Sequence, residues 1–216
     1  MSVANNLSAV LSSLPEGVTF VAVSKYHPIE AIWEAYNAGQ RLFGESRVQE
    51  LMVKYQALPK DIEWQMIGHL QTNKVKYIVP FISLIQSVDS QKLLETIDRE
   101  AKKCGRVVDC LLEVHVAQEE TKSGWEETSL REYLATDSIK QLQNVRIRGI
   151  MGMATNTDDS SIIRADFERL KSLKQELEPI FDSNFDTLSM GMSDDYHIAI
   201  DCGSTMVRVG SKVFSE

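Results

Sequence analysis

The sequence predicts an α/β fold, a single (β/α)8 TIM barrel, and three observations lead there. Short β-rich runs alternate with segments of helical period, the rhythm of parallel β-α units. Eight such runs occur in 216 residues, a length that one barrel fills. An open doubly wound sheet gives a similar rhythm, but no G-x-G-x-x-G follows the first run and no G-x-x-x-x-G-K-[ST] occurs.

The elements follow in order. An extra N-terminal helix is expected over roughly 4–13, capping the barrel's bottom. The first strand is VTFVAVS at 18–24. Pro28 then opens a helix whose apolar residues Ile29, Ile32, Trp33 and Tyr36 recur at i, i+3, i+4 and i+7 and stop at Gly39. After the run at 41–44, "SRVQ" at 46–49 has the spacing of a capping box, with Ser46 starting the next helix. Runs at 62–67 and 83–87 come next, then a stripe of Leu93, Leu94, Ile97, Ala101 and Cys104 ending at Gly105. The runs at 107–114 and 145–150 precede a longer helix striped by Ile163, Phe167, Leu170, Leu173 and Leu177. Runs at 186–189 and 206–209 close the count. Several are apolar on both faces, as strands covered on both sides should be. With no linker or low-complexity tract, residues 1–216 read as one domain.

Composition excludes several functions. The charge of −8 opposes a nucleic-acid surface, which needs clustered cations. No window approaches 18 consecutive apolar residues, and the first residues lack the basic and apolar regions of a signal peptide, so a cytoplasmic protein without a membrane partner is expected. Cys104, Cys110 and Cys202 form no C-x-x-C pair and are odd in number, which suits reduced packing residues. His27, His115 and His197 lack metal-ligand spacing, so no metal is expected.

Lys25 is the first candidate for chemistry. It ends the first strand, and barrel enzymes work at the C-terminal strand ends. A primary amine beside a low-dielectric interior is a nucleophile toward carbonyls, forming an imine (Schiff base). Taken alone, such a lysine reads first as a solvated strand end. The last two strands add "LSMGMSDDY" at 188–196 and "GSTMVRVGS" at 203–211. Loops after these strands commonly bind phosphate through backbone N–H groups, here those of Ser189, Met190, Gly191, Gly210 and Ser211. Either stretch alone is also a tight turn. Arg208 lies two residues before Gly210. An aldehyde for Lys25, a phosphate for the loops and a ring nitrogen for Arg208 together describe pyridoxal 5′-phosphate (PLP).

The successive blocks "AVSK", "FGESRVQE", "WQMIGHLQTNK", "SVDS", "KSG", "RGIMGMA", "LSMGMSDDY" and "GSTMVRVGS" resemble, in order and over nearly the whole chain, the pyridoxal-phosphate homeostasis protein family, the YggS-like (PROSC) group. The resemblance implies a fold-type III PLP barrel similar to the alanine racemase N-terminal domain, with the cofactor held as an internal aldimine on Lys25. It further implies Ser189 and Gly210 with neighbouring amides at the phosphate, and Arg208 at the pyridine nitrogen. An arginine can only donate to that nitrogen, keeping it unprotonated and weakening the ring as an electron sink. Ser46, Gln65 and Met66 depart from the family pattern, near the expected mouth.

The function expected is intracellular PLP buffering or delivery by a monomer, with PLP-requiring apoenzymes as partners and no established catalytic residue. A PLP-dependent amino-acid racemase and a Schiff-base aldolase are the alternatives. The racemase needs a second acid/base, which in alanine racemase comes from a further domain, and the chain ends shortly after Arg208. His69 in "IGHLQ" is a candidate for the ring or for seating its loop. Glu45 and Asp89 are candidates for acid/base groups, and are read in preference as carboxylates favoured at helix starts. Met151, Met153, Met190 and Met192 are read as packing, the last two as possible ligand contacts.

Overall fold

A computed structural model describes residues 2–119, 123–181 and 183–215. The strands are β1 (Thr19–Val23), β2 (Leu42–Glu45), β3 (Glu63–Met66), β4 (Leu84–Val88), β5 (Val108–Val114), β6 (Val145–Gly152), β7 (Thr187–Ser189) and β8 (Met206–Val209). The helices are α1 (Val3–Ser12), α2 (Ile29–Asn37), α3 (Val48–Ala57), α4 (Val75–Ile78), α5 (Gln91–Lys103), α6 (Glu127–Leu134), α7 (Ser160–Leu177), α8 (Tyr196–Asp201) and α9 (Ser211–Phe214). All eight predicted strands form, and they close in chain order. The closing pair is parallel, with Thr19 opposite Met206 and Ala22 opposite Val209.

Alternation along the strands divides the core in two. Val21, Leu84, Leu111, Met151 and Met206 form a small cluster inside the barrel. Their neighbours Ala22, Ile85, Leu112, Ile150 and Val207 face outward and pack with the helices in the larger cluster. Every residue of the predicted stripe on α7 is buried there. On α5 the stripe holds through Ala101, while Cys104 is exposed. On α2 the buried residues are Ile32 and Ala35, and Trp33 is 38% exposed, so the apolar face is rotated toward Ala35.

Two expectations are corrected. The N-terminal helix does not cross the bottom. It lies on the flank against α2 and α9, where Asn6 Nδ2 donates to the Val213 and Ser215 carbonyls at 3.2 Å each and Ser13 Oγ lies 3.0 Å from the Tyr196 hydroxyl. Among the described residues the single turn α9 follows β8, and α1 packs between it and α2. Nor does Ser46 cap α3, whose N-cap is Arg47 with no side-chain bond. Ser46 is instead pressed against Gly68, where a Cβ would come within 2.6 Å of the Ser46 carbonyl oxygen.

Two glycines separate the costs of conformation and crowding. Gly149 has φ 151, and a Cβ there would sit 1.8 Å from the Thr187 carbonyl oxygen across the β6–β7 pair. Gly39 has φ 102 and open space around the same position. Gly39→Ala is expected to cost about 1 kcal/mol, the strain of a left-handed alanine. Gly149→Ala must also displace a paired strand and is expected to cost at least about 3 kcal/mol. Denaturant unfolding of the two variants beside the parent checks the difference.

Candidate functional site

Lys25 follows β1 by two residues and keeps the inward register of Val21 and Val23. Ser24–His27 is a tight turn in which His27 N–H donates to the Ser24 carbonyl at 3.1 Å. Its third residue, Tyr26, has φ 67, the pattern of a type II turn and a conformation that costs a non-glycine residue about 1 kcal/mol. Beneath the turn, Ser24 Oγ donates to Glu45 at 2.6 Å and Lys54 Nζ donates to Glu45 at 2.7 Å. Glu45 is therefore no helix-start carboxylate. It ends β2 facing outward, wholly buried, and burial pushes its carboxyl pKa up while Lys54 and Ser24 oppose the rise. The Lys25 side chain is exposed, with Nζ 6.0 Å from the Tyr26 ring centre.

A polar chain crosses the barrel interior. Arg208 NH1 donates to Ser189 Oγ at 2.6 Å, Ser189 Oγ donates to Gln86 Oε1 at 2.6 Å, and Gln86 Nε2 donates to Gln65 Oε1 at 2.6 Å. Arg208 NH2 also donates to the Gly152 carbonyl at 3.1 Å. Burial lowers the Arg208 pKa to about 10, with Glu113 and Asp195 opposing the drop, so the guanidinium stays charged at neutral pH. Gln65, one departure from the family pattern, is thus part of the interior chain. Met66 faces the other way, into the outer core, and does not line the mouth.

The two glycine-serine loops meet at this end of the barrel. Gly191 has φ 97, and a Cβ on it would come 2.6 Å from Ala199 Cβ, so the turn into α8 requires glycine. A Cβ on Gly210 would lie 2.9 Å from the Val23 carbonyl oxygen, which sets the β8–α9 turn directly against the strand that carries Lys25. Gly210 N–H donates to Ser193 Oγ at 3.3 Å and joins the two loops. Ser193 is buried and was not among the residues singled out from sequence. Its signal was the second serine of "SMGMS", on the loop side of Gly191. The expected amides fare differently. Met190 N–H is engaged by the Met206 carbonyl at 3.1 Å, and the Ser189 hydroxyl by the interior chain. The N–H groups of Gly191 and Ser211 have no hydrogen-bond partner among the described residues.

Other groups around the mouth are carboxylates and histidines. Glu113 on β5 is buried; its Oε1 accepts from Ser123 Oγ at 2.9 Å and its Oε2 has no partner among the described residues. Burial raises its pKa, opposed by the Ser123 bond. His69 is mostly exposed and pairs with Asp89 at 3.0 Å; Asp89 precedes the true N-cap of α5, Ser90. His115 bonds Glu126 and the Glu119 carbonyl, His27 stacks on Phe214, and His197 lies against Tyr196. Among the described residues no group of His, Cys, Asp or Glu could hold a metal ion. Met190 is buried and Met192 is 39% exposed. Lys122 of "KSG" lies outside the described residues. Among the described residues no helix is long and apolar enough to cross a membrane.

Comparison with known proteins gives a consistent result. A family model for the alanine racemase N-terminal domain matches residues 1–215. The pyridoxal phosphate homeostasis protein of Aquifex aeolicus (strain VF5) is 41% identical over 197 residues, 91% of this chain and 86% of its own. The protein of the same name from Vibrio alginolyticus is 38% identical over 205 residues, 93% of this chain and 87% of its own. Among solved structures, PipY of Synechococcus elongatus PCC7942 with PLP bound superposes with a TM-score of 0.90 at 39% identity, covering 99% of this chain and 100% of its own. An alanine racemase from Clostridium difficile 630 shares the fold with a TM-score of 0.81 at 14% identity, over 100% of this chain and 60% of its own.

The buried carboxyl of Glu113 makes stability depend on pH. Its pKa in the folded protein lies above the ordinary value of 4.5, so the unfolded chain releases this proton first. The stabilisation is complete below that ordinary value and is lost as pH rises through the folded pKa. Glu113→Gln carries no such charge. Urea unfolding should find the variant and the parent alike near about pH 4, and the variant more stable near about pH 7.

Proposed function

Because the chain belongs to the pyridoxal phosphate homeostasis protein family, we propose that it binds PLP reversibly at the C-terminal mouth of its barrel and serves to hold and deliver that cofactor. One observation carries the reading: the strand ends of β7, β8 and β1 stand side by side, bringing the two glycine turns, Arg208 and Lys25 to one opening.

The residues present suit the group. Bound there, PLP supplies an aldehyde that condenses with a primary amine, releasing water. Lys25 provides that amine on an exposed turn, where a competing amine from solvent can reach the same bond. Gly191 and Ser211 offer N–H groups to the phosphate, and Ser193 ties their two loops together. Arg208 is charged and donor-only, so at the pyridine nitrogen it leaves that atom unprotonated and disfavours carbanion chemistry. Gly210 lets the turn approach β1 closely enough for one small ligand to span both. The whole of 1–216 forms this one binding unit. A monomer in the cytoplasm that hands PLP to apoenzymes completes the proposal.

Mixing the purified protein with PLP is expected to give a yellow adduct that borohydride fixes to Lys25, located by peptide mass spectrometry. Lys25→Ala should lose the fixed adduct while retaining weaker, dialysable PLP. An unchanged spectrum with the parent protein, or an undiminished fixed adduct in Lys25→Ala, overturns the proposal.

A further inference from the structure

Lys54 is a buried ammonium that the proposed chemistry does not use. It projects from α3 with a side chain 4% exposed, and donates to the Ser24 carbonyl at 2.7 Å, Glu45 Oε1 at 2.7 Å and Glu50 Oε1 at 2.6 Å. Three N–H bonds meet three acceptors, which is what a lysine needs to stay charged away from water.

The acceptors are grouped around one residue. The Ser24 carbonyl belongs to the peptide unit just before Lys25. Glu50 Oε1 also accepts from Tyr26 N–H at 2.7 Å, and that amide belongs to the peptide unit just after Lys25. Glu45 adds a bond from Ser24 Oγ at 2.6 Å. The two peptide planes whose rotations define φ and ψ of Lys25 are therefore both tied to a single buried charge. An ion pair that served only to dock α3 on the barrel would have no reason to engage this backbone.

The turn needs such a hold. Tyr26 is the one described non-glycine residue at positive φ, and without its bond to Glu50 the 25–26 peptide is free to flip to a type I turn. The Lys25 side chain is exposed and has no hydrogen bond among the described residues, so the direction in which its Cα–Cβ bond starts out is set by this backbone.

We infer that Lys54 is a positioning residue for Lys25: through the Ser24 carbonyl on one side, and through Glu50 to Tyr26 N–H on the other, it fixes the direction in which that amine leaves the barrel wall. The functional meaning rests on Lys25 being the amine that bonds PLP; the hold on the backbone does not.

The test uses the full-length protein and the variants Glu50→Ala, Glu50→Gln and Lys54→Met. The first readout needs no cofactor: hydrogen exchange of the Tyr26 amide, followed by NMR. Loss of a bond to a charged acceptor should speed it about tenfold in Glu50→Ala, with the α3 amides unchanged, while Glu50→Gln, which keeps an acceptor oxygen, should stay within about twofold of the parent. The second is the share of retained PLP that borohydride fixes to Lys25, expected to fall in Glu50→Ala and Lys54→Met and to recover in Glu50→Gln. Parent-like exchange and a parent-like fixed share in Glu50→Ala overturn the inference. If the parent itself fixes no PLP on Lys25, the proposed function fails, and Tyr26 exchange alone decides whether Lys54 holds the turn. If Lys54→Met does not fold, the partly exposed Glu50 carries the test.

Discussion

The pairing of the first strand with the last is the constraint on which everything else stands. Four registered pairs from Thr19–Met206 to Ala22–Val209 turn an open sheet into a barrel. They also set the turn at Gly210 against the end of β1, where a Cβ on that glycine would lie 2.9 Å from the Val23 carbonyl oxygen. Residues separated by nearly the whole chain become neighbours through backbone bonds alone. Such closure is slow, because chain entropy is spent before any contact rewards it. Once made, it leaves no sheet edge and gives every strand end one shared opening.

Inside that wall and between it and α3, the chain buries several charged groups. Arg208 donates to Ser189 and Gly152, and Lys54 to three oxygens, so hydrogen bonds offset part of the desolvation of each cation. The carboxylates are less well served. Glu45 and Glu113 each keep one buried oxygen without a partner among the described residues, and both have raised pKa values. Buried polar groups of this kind seldom add stability over apolar ones of the same volume, and the proposed function gives those inside the barrel a use, as a charged, hydrogen-bonding floor beneath the mouth.

Strand count, barrel closure and the helix stripes were legible because each depends on periodicity, which one chain displays by itself. Lys25, Arg208 and Gly210 were legible because their positions at strand ends follow from the same count. Other features were not. Ser46 has the spacing of a capping box, yet its backbone is claimed by Gly68, a contact between different β-α units that no local pattern encodes. Glu45 looks like a helix-start carboxylate until strand alternation turns it outward toward Lys54. Ser193 reads as one of several loop serines, and only the approach of the β8–α9 turn singles it out. Met66 and Gln65 are adjacent in sequence but face opposite sides of β3, so just one of the two departures touches the interior.

In the proposed function Lys25 must both hold and release a ligand, requirements that oppose each other, and different parts of its turn answer to each. Holding requires a defined direction, which comes from the backbone: a left-handed Tyr26 and peptide units tied to a charge that solvent does not reach. Releasing requires an amine open to competitors, which comes from the side chain, exposed beyond the strand end. A buried lysine would bond its aldehyde firmly and exchange it slowly; a lysine on an unrestrained loop would exchange freely and seldom meet the ring at the right angle. Placing order in the main chain and freedom in the side chain satisfies both at once, and it does so using strand β2 and helix α3, the β-α unit next to the one that carries the amine.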